Sequence, residues 1–220
     1  MQITINRINV LLLCLFGFSC INPVSATTQK PNVLVVVLDD VGMTDFGSFG
    51  SEINTPNIDD IAYAGTRLTN FYTAPTCSPT RAMLLTGADN HLVGLGNMHE
   101  DLSPNQRGKS GYEGYLNDRA VSLAEIMSAN GYHTAMAGKW HLGLQAQHAP
   151  NKRGFDQSFA LLQGGGGHFD DLGLYKKKSL YRENGQLVDL PKNFYSTEFY
   201  TEKITEYIKT SQQKKAPFFA

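Results

Sequence analysis

From Val33 to Leu38 the chain reads Val-Leu-Val-Val-Val-Leu without a polar break, and Asp39-Asp40 closes the run. Continuous apolar, β-branched residues suit a central parallel strand covered on both faces, because a strand with one solvated face would alternate. In open α/β sheets the ligand crevice lies beyond the carboxyl ends of the strands, where these two aspartates fall. The pattern then turns helical. Thr55 as cap, Pro56 at the first helical position, acids in the first turn and Gly65 as stop predict a short helix. Arg67 to Thr73 reads as a strand that packs through Leu68, Phe71 and Tyr72.

A second helix is predicted around Cys77-Ser78-Pro79-Thr80-Arg81, with Ser78 as N-cap, Pro79 at the first helical position and Gly87 past the end. Gly87 to Ser110 is a glycine-rich, weakly patterned loop. Its His91 and His99 lack a ligand partner at helical or strand spacing and read as hydrogen-bonding loop residues. Ser122 to Gly131 carries a capping box, Ser122 with Glu125, and a glycine stop. Tyr132 to Ala137 then predicts a strand leading into Gly138-Lys139-Trp140-His141-Leu142-Gly143. Kept extended, that segment would put Lys139 and His141 on one side and Trp140 on the other. Arg153 to Asp156 and Gly164 to Gly167 read as turns at a pocket rim, with His168 beside them. Asn184-Gly185 marks a hairpin, and Thr197 to Gln212 a helix with Phe199, Lys203, Ile204, Tyr207 and Ile208 facing the core. Pro217-Phe218-Phe219-Ala220 opens another buried strand, so the sheet is expected to be incomplete at the C-terminus.

Length and composition add limits. The 220 residues suffice for one sizeable core, and 41% hydrophobic with 18% charged residues is ordinary for a globular protein. A net charge of -1 gives no electrostatic reason to expect nucleic acid. Lys176-Lys177-Lys178 reads as a solvated loop or as a contact for phosphate or a sulfated polymer. The first 26 residues read as a signal peptide, with Arg7, an apolar stretch from Val10 to Phe18 too short to span a bilayer, and Val24-Ser25-Ala26 before the cleavage point. Residues 27–220 would then form the mature portion, periplasmic or secreted, with lipid anchoring at Cys20 as the alternative. Losing the leader removes Cys14 and Cys20, leaving Cys77 with no disulfide partner in its own chain.

Candidate chemistry lies at three places. Cys77 would sit at the positive end of a helix dipole with Arg81 about one turn away, which favours negative charge there; a thiolate nucleophile and a buried inert thiol both remain open. Asp39 and Asp40 repel each other unless a cation lies between them, so they read as ligands of a hard metal ion or as turn residues before Gly42. Lys139 with His141 reads as an anion-gripping pair in which the imidazole can move protons, or as a loop lysine and a satisfied histidine.

Together, Val33 to Gly42 with its Asp-Asp pair, Cys77-Ser78-Pro79-Thr80-Arg81 through Gly87, and Gly138 to Gly143 resemble the formylglycine-dependent sulfatases, most of all bacterial arylsulfatases of the Pseudomonas type. The likeness runs from about Pro31 to the end of the chain. It implies an α/β, alkaline-phosphatase-like fold with a largely parallel central sheet flanked by helices. Cys77 matches the residue that a formylglycine-generating enzyme oxidises to the aldehyde, whose hydrate supplies the attacking oxygen. Asp39, Asp40 and the modified residue 77 match ligands of Ca2+. Arg81 matches the side chain that holds the formylglycine hydroxyls, Lys139 a sulfate contact, and His141 a partner of the hydrated aldehyde. Substrates would be small-molecule or glycan sulfate esters. The family also carries a further histidine, an Asp-Asn pair and a second lysine beyond the Pro-Phe-Phe strand, so a chain bearing only the motifs above is expected to show little or no turnover. Two alternatives share the signature or the scaffold: a phosphonate monoester or phosphodiester hydrolase, and an inactive exported remnant that binds sulfated ligands.

Overall fold

The structure, a computed structural model, describes residues 29–174 and 177–220. The leader reading over residues 1–26 and Lys176 of the lysine run lie outside the described residues. Residues 31–220 form one unit, described below.

Its frame is a five-stranded sheet. Strand β1 (His133–Lys139) pairs in parallel with β2 (Gln157–Leu161), Ala135 opposite Gln157 and Lys139 opposite Leu161. A hairpin of β3 (Tyr181–Glu183) and β4 (Gln186–Val188) continues beyond β2 in antiparallel fashion, and β5 (Phe218–Phe219) lies parallel to β1 on the other side. The order is β4-β3-β2-β1-β5, so the sheet is mixed: parallel around β1 and antiparallel at the hairpin edge. Four α-helices are described: α1 (Pro56–Ala64), α2 (Cys77–Thr86), α3 (Leu123–Ala129) and α4 (Ser196–Gln213).

Alternation along β2 explains why both sheet faces are covered. Phe159 and Leu161 point to one side and join Tyr181 and Phe194, against Phe199 and Tyr200 of α4. Ala160, with Leu162 just past the strand, points to the other and joins Ala82 of α2, Ala124 of α3, Trp140, Leu142, Phe155 and Phe219. Local signals hold where they are strong. Ser122 accepts the Glu125 N–H at 3.1 Å while the Glu125 carboxylate accepts the Ser122 N–H at 2.6 Å, completing the capping box. Asn184 and Gly185, at φ of 49° and 86°, make the left-handed pair that joins β3 to β4.

Three expectations change. The Val33–Leu38 run is not a central strand: it lies outside β5, tied by Val33 N–H to Phe218 O at 2.8 Å, Ala220 N–H to Val33 O at 2.9 Å and Val35 N–H to Ala220 O at 2.8 Å. Leu34 to Leu38 are exposed, Val36 at 71%. An unbroken apolar run records how much the residues would gain from burial, not which element covers them. Arg67 to Thr73 forms no strand, and Leu68, Phe71 and Tyr72 face solvent. Helix α2 starts earlier than its proline suggests. Thr76 is the N-cap residue, and Cys77, Ser78 and Pro79 occupy the first turn, where a missing N–H leaves no helical bond unmade. Its end is as expected, with Gly87 at φ 64° donating to Met83 O at 2.8 Å.

Candidate active site

Asp39 and Asp40 arrive at the end of the edge run, and Asp40 takes a left-handed φ of 54°. Cys77 stands in the first turn of α2, partly buried and free. One carboxylate oxygen from each aspartate and the Cys77 sulfur all lie within 4.8 Å of one another. Lys139, the last residue of β1, reaches the same place with Nζ 2.5 Å from Asp39 Oδ2. Arg81, one turn into α2, puts Nη2 3.6 Å from Asp39 Oδ1 and donates through Nη1 to Lys139 O at 2.7 Å. That last bond fastens the helix carrying Cys77 to the strand carrying Lys139.

Charge balance follows from these contacts. Burial alone would raise the Asp39 carboxyl, but the hydrogen bond and charge of Lys139, backed by Arg81, outweigh it and hold Asp39 below the usual aspartate value. Burial draws the Arg81 guanidinium downward, opposed by Asp39 and Cys77. The guanidinium still stays cationic, so the cluster presents two cations beside two carboxylates.

Beyond Lys139 the backbone leaves the strand, and the extended reading of this segment fails at His141, whose φ is 56°. Two apolar residues hold the turn. Trp140, 2% exposed, donates its backbone N–H to Leu161 O at 2.8 Å and its indole N–H to His148 O at 2.9 Å. Leu142 is fully buried, and its carbonyl accepts the Leu116 N–H at 2.9 Å. Between these two pins His141 is 6% exposed, with Nε2 2.9 Å from Oε1 of Glu100. The hydrogen bond to His141 holds the Glu100 carboxyl below the usual glutamate value. Left-handed backbone at a non-glycine residue costs about 1–3 kcal/mol; among the described residues it occurs at Asp40, His141, Asn184 and Lys215, and the first two are candidate site residues.

Of the residues the sequence singled out, Asp39, Asp40, Cys77, Arg81 and Lys139 form one contact cluster, and His141 follows two residues after Lys139, held by Glu100. Sequence reasoning missed Glu100. It lies in a 3-10 turn (His99–Asp101) within the unpatterned loop, 41 residues from its partner, where no periodicity could flag it. His91 keeps a local role beside Asp89 at 3.3 Å, and His168 Nδ1 lies 2.6 Å from the Ser196 hydroxyl. Lys178 pairs with Asp189 at 2.8 Å and Asp171 at 3.2 Å on the surface.

Chemically, Asp39 and Asp40 offer the oxygen donors that a hard divalent cation prefers, while the unmodified Cys77 offers a sulfur, and the three residues fill only part of the six to eight positions calcium takes. Lys139 and Arg81 supply positive charge at its border, so the arrangement suits a small oxyanion held beside a metal ion.

The family model described as "Sulfatase" matches residues 31–220. An uncharacterized sulfatase of Schizosaccharomyces pombe is 50% identical over 207 residues, covering 89% of this chain and 37% of its own length. An arylsulfatase of Klebsiella aerogenes is 42% identical over 200 residues, covering 89% of this chain and 42% of its own. The crystal structure of Ps i-CgsB in complex with k-i-k-neocarrahexaose superposes with a TM-score of 0.73 at 33% identity, over 87% of this chain and 44% of that one. The chain thus spans less than half the length of each of these proteins.

Proposed function

This chain belongs to the sulfatase family, and from that premise we propose that it serves sulfate-ester hydrolysis of the arylsulfatase type, with residue 77 converted from cysteine to formylglycine. The observation that carries this reading is the meeting of Asp39, Asp40 and Cys77 within 4.8 Å, with Lys139 and Arg81 both on Asp39. Asp39, Asp40 and an oxygen on residue 77 would hold a calcium ion. When bound, that ion supplies Lewis-acid charge stabilisation for a sulfate oxygen.

The chain's own residues do the rest. Lys139 draws the anionic sulfate group in and offsets its charge. Its ammonium is held at Asp39, so the aspartate that would ligate the metal also orients the cation that binds substrate. Arg81 fixes the first turn of α2 against the end of β1, which keeps residue 77 in register with Lys139. His141 moves a proton to or from the hydroxyls of the hydrated aldehyde at residue 77. The substrate is a small-molecule or glycan sulfate ester, and the k-i-k-neocarrahexaose in complex with Ps i-CgsB supports the glycan class. Residues 1–26 are proposed as a signal peptide, with residues 27–220 as the N-terminal part of the catalytic domain. The mature protein is then periplasmic or secreted, and a formylglycine-generating enzyme is a processing partner. Among the described residues no helix is long and apolar enough to cross a membrane.

Co-expression with a formylglycine-generating enzyme followed by mass spectrometry of the peptide spanning Cys77 tests the reading. The expected result is sulfur exchanged for an aldehyde oxygen, with calcium binding by isothermal titration weakened at least about tenfold in Asp40→Asn. Any turnover should favour an aryl sulfate over a phosphodiester. An unconverted thiol together with calcium binding indifferent to Asp40 would overturn it.

A further inference from the structure

The Glu100–His141 contact decides which imidazole nitrogen is free to work. A carboxylate can only accept, so at 2.9 Å from Glu100 Oε1 the Nε2 atom must carry hydrogen and donate it. The other nitrogen, Nδ1, is buried and has no hydrogen-bond partner among the described residues. A buried polar atom left unpartnered is costly and calls for a group to meet it.

From this geometry we infer that Glu100 is a positioning residue: it locks His141 as the Nε2–H tautomer, so that Nδ1 is the nitrogen that accepts a proton or a hydroxyl hydrogen bond. Gly164 belongs to the same device. A β-carbon there would lie 2.6 Å from Glu100 Oε1 and 2.6 Å from His141 Cε1, closer than real contacts allow. The backbone at Gly164 is outside the left-handed region, so space, not conformation, requires the glycine. Three segments distant in sequence therefore close on one ring: the 3-10 turn brings the acceptor, the turn after β1 brings the imidazole, and the glycine after β2 leaves room for both. The left-handed backbone at His141 is consistent with a ring held by its surroundings, not by its own conformational preference.

The tautomer stands on geometry alone, while its use in catalysis rests on the sulfatase reading; the two fail separately. Histidine-selective 15N labelling and two-bond 1H–15N correlation spectra of the full chain read the tautomer directly, without requiring turnover. Wild type is expected to show His141 as Nε2–H at a pH where the ring is neutral. Glu100→Ala should lose that single-tautomer pattern, Glu100→Asp should keep part of it, and Gly164→Ala should disturb it with Glu100 intact. The signals of His133 and His168, which have other partners, report whether each variant is folded. An Nδ1–H pattern in wild type, or a His141 pattern unmoved in folded Glu100→Ala, would overturn the inference. A tautomer that follows Glu100 in a protein whose Cys77 is never converted and whose calcium binding ignores Asp40 would support it while removing the sulfate-ester reading.

Discussion

Two stretches of this chain are equally apolar on paper and differ completely in space. In residues 133–162, Trp140, Leu142, Phe159, Ala160 and Leu162 are buried, packed on both sheet faces between α2 and α3 on one side and α4 on the other. In residues 33–73, Leu34 to Leu38, Ile58, Ile61, Tyr63, Leu68, Phe71 and Tyr72 face solvent, and α1 has no buried residue. Hydrophobicity states a demand, and the fold must supply a second surface to meet it. Strand β2 meets one on each side, whereas among the described residues the run Val33–Leu38 joins the sheet through Val33 and Val35 and their bonds to Phe218 and Ala220. The candidate site straddles the contrast: Cys77, Arg81, Lys139 and His141 hang from the packed part, Asp39 and Asp40 from the exposed one.

The sharpest way to break this comparison is to empty the packed part. Trp140→Ala removes a fully enclosed indole, its edge-to-face contact with Phe155 at 6.1 Å and its hydrogen bond to His148 O. The expected loss is about 3–5 kcal/mol, read as a lower urea midpoint. Because Trp140 separates Lys139 from His141, the His141 tautomer signal should also broaden. A loss below about 1 kcal/mol would mean the packed part is no better formed than the exposed one.

The contrast also explains what the sequence could announce. Elements whose signals are local were legible: the capping box at Ser122 and Glu125, the Asn184-Gly185 turn, the glycine stop at Gly87 and the strand running into Lys139. The gathering of Cys77, Arg81 and Lys139 at one candidate site was legible too, since Cys77 to Arg81 and Gly138 to Gly143 are each short motifs whose polar residues lie close together along the backbone. What failed depended on distant partners. The place of Val33–Leu38 at the sheet edge is set by β5, nearly the whole chain away. Arg67 to Thr73 has strand-forming residues and no neighbour to pair with. Glu100 matters only because His141 folds back onto it, and a left-handed residue at 141 is not announced by the residues around it.

A middle-sized effect belongs to a cap in the packed part. The Ser122 side chain accepts from Glu125 N–H and donates to Arg153 O at 2.7 Å, so it stabilises the helix start and satisfies a carbonyl of another segment. Ser122→Ala should cost about 1–2 kcal/mol by urea denaturation. Thr55, at the matching place before α1, makes no such cap; its hydroxyl donates to Asp59 Oδ1 at 3.0 Å and accepts Gly47 N–H at 2.9 Å. A cost at Ser122 within about 0.5 kcal/mol would show that the α3 cap is as peripheral as its counterpart.

The smallest effect is expected where the apolar surface is barest. Tyr72 is 86% exposed and makes no hydrogen bond or ring contact among the described residues. Tyr72→Ser should therefore shift stability by no more than about 0.5 kcal/mol, although tyrosine to serine in a packed site would cost several times that. The urea slope should stay unchanged, because no surface that unfolding exposes has been removed from the folded state. A measured loss of about 2 kcal/mol or more at this position would show that the aromatic ring is covered in solution, and the difference between the two stretches would then reflect what covers residues 33–73, not how they fold.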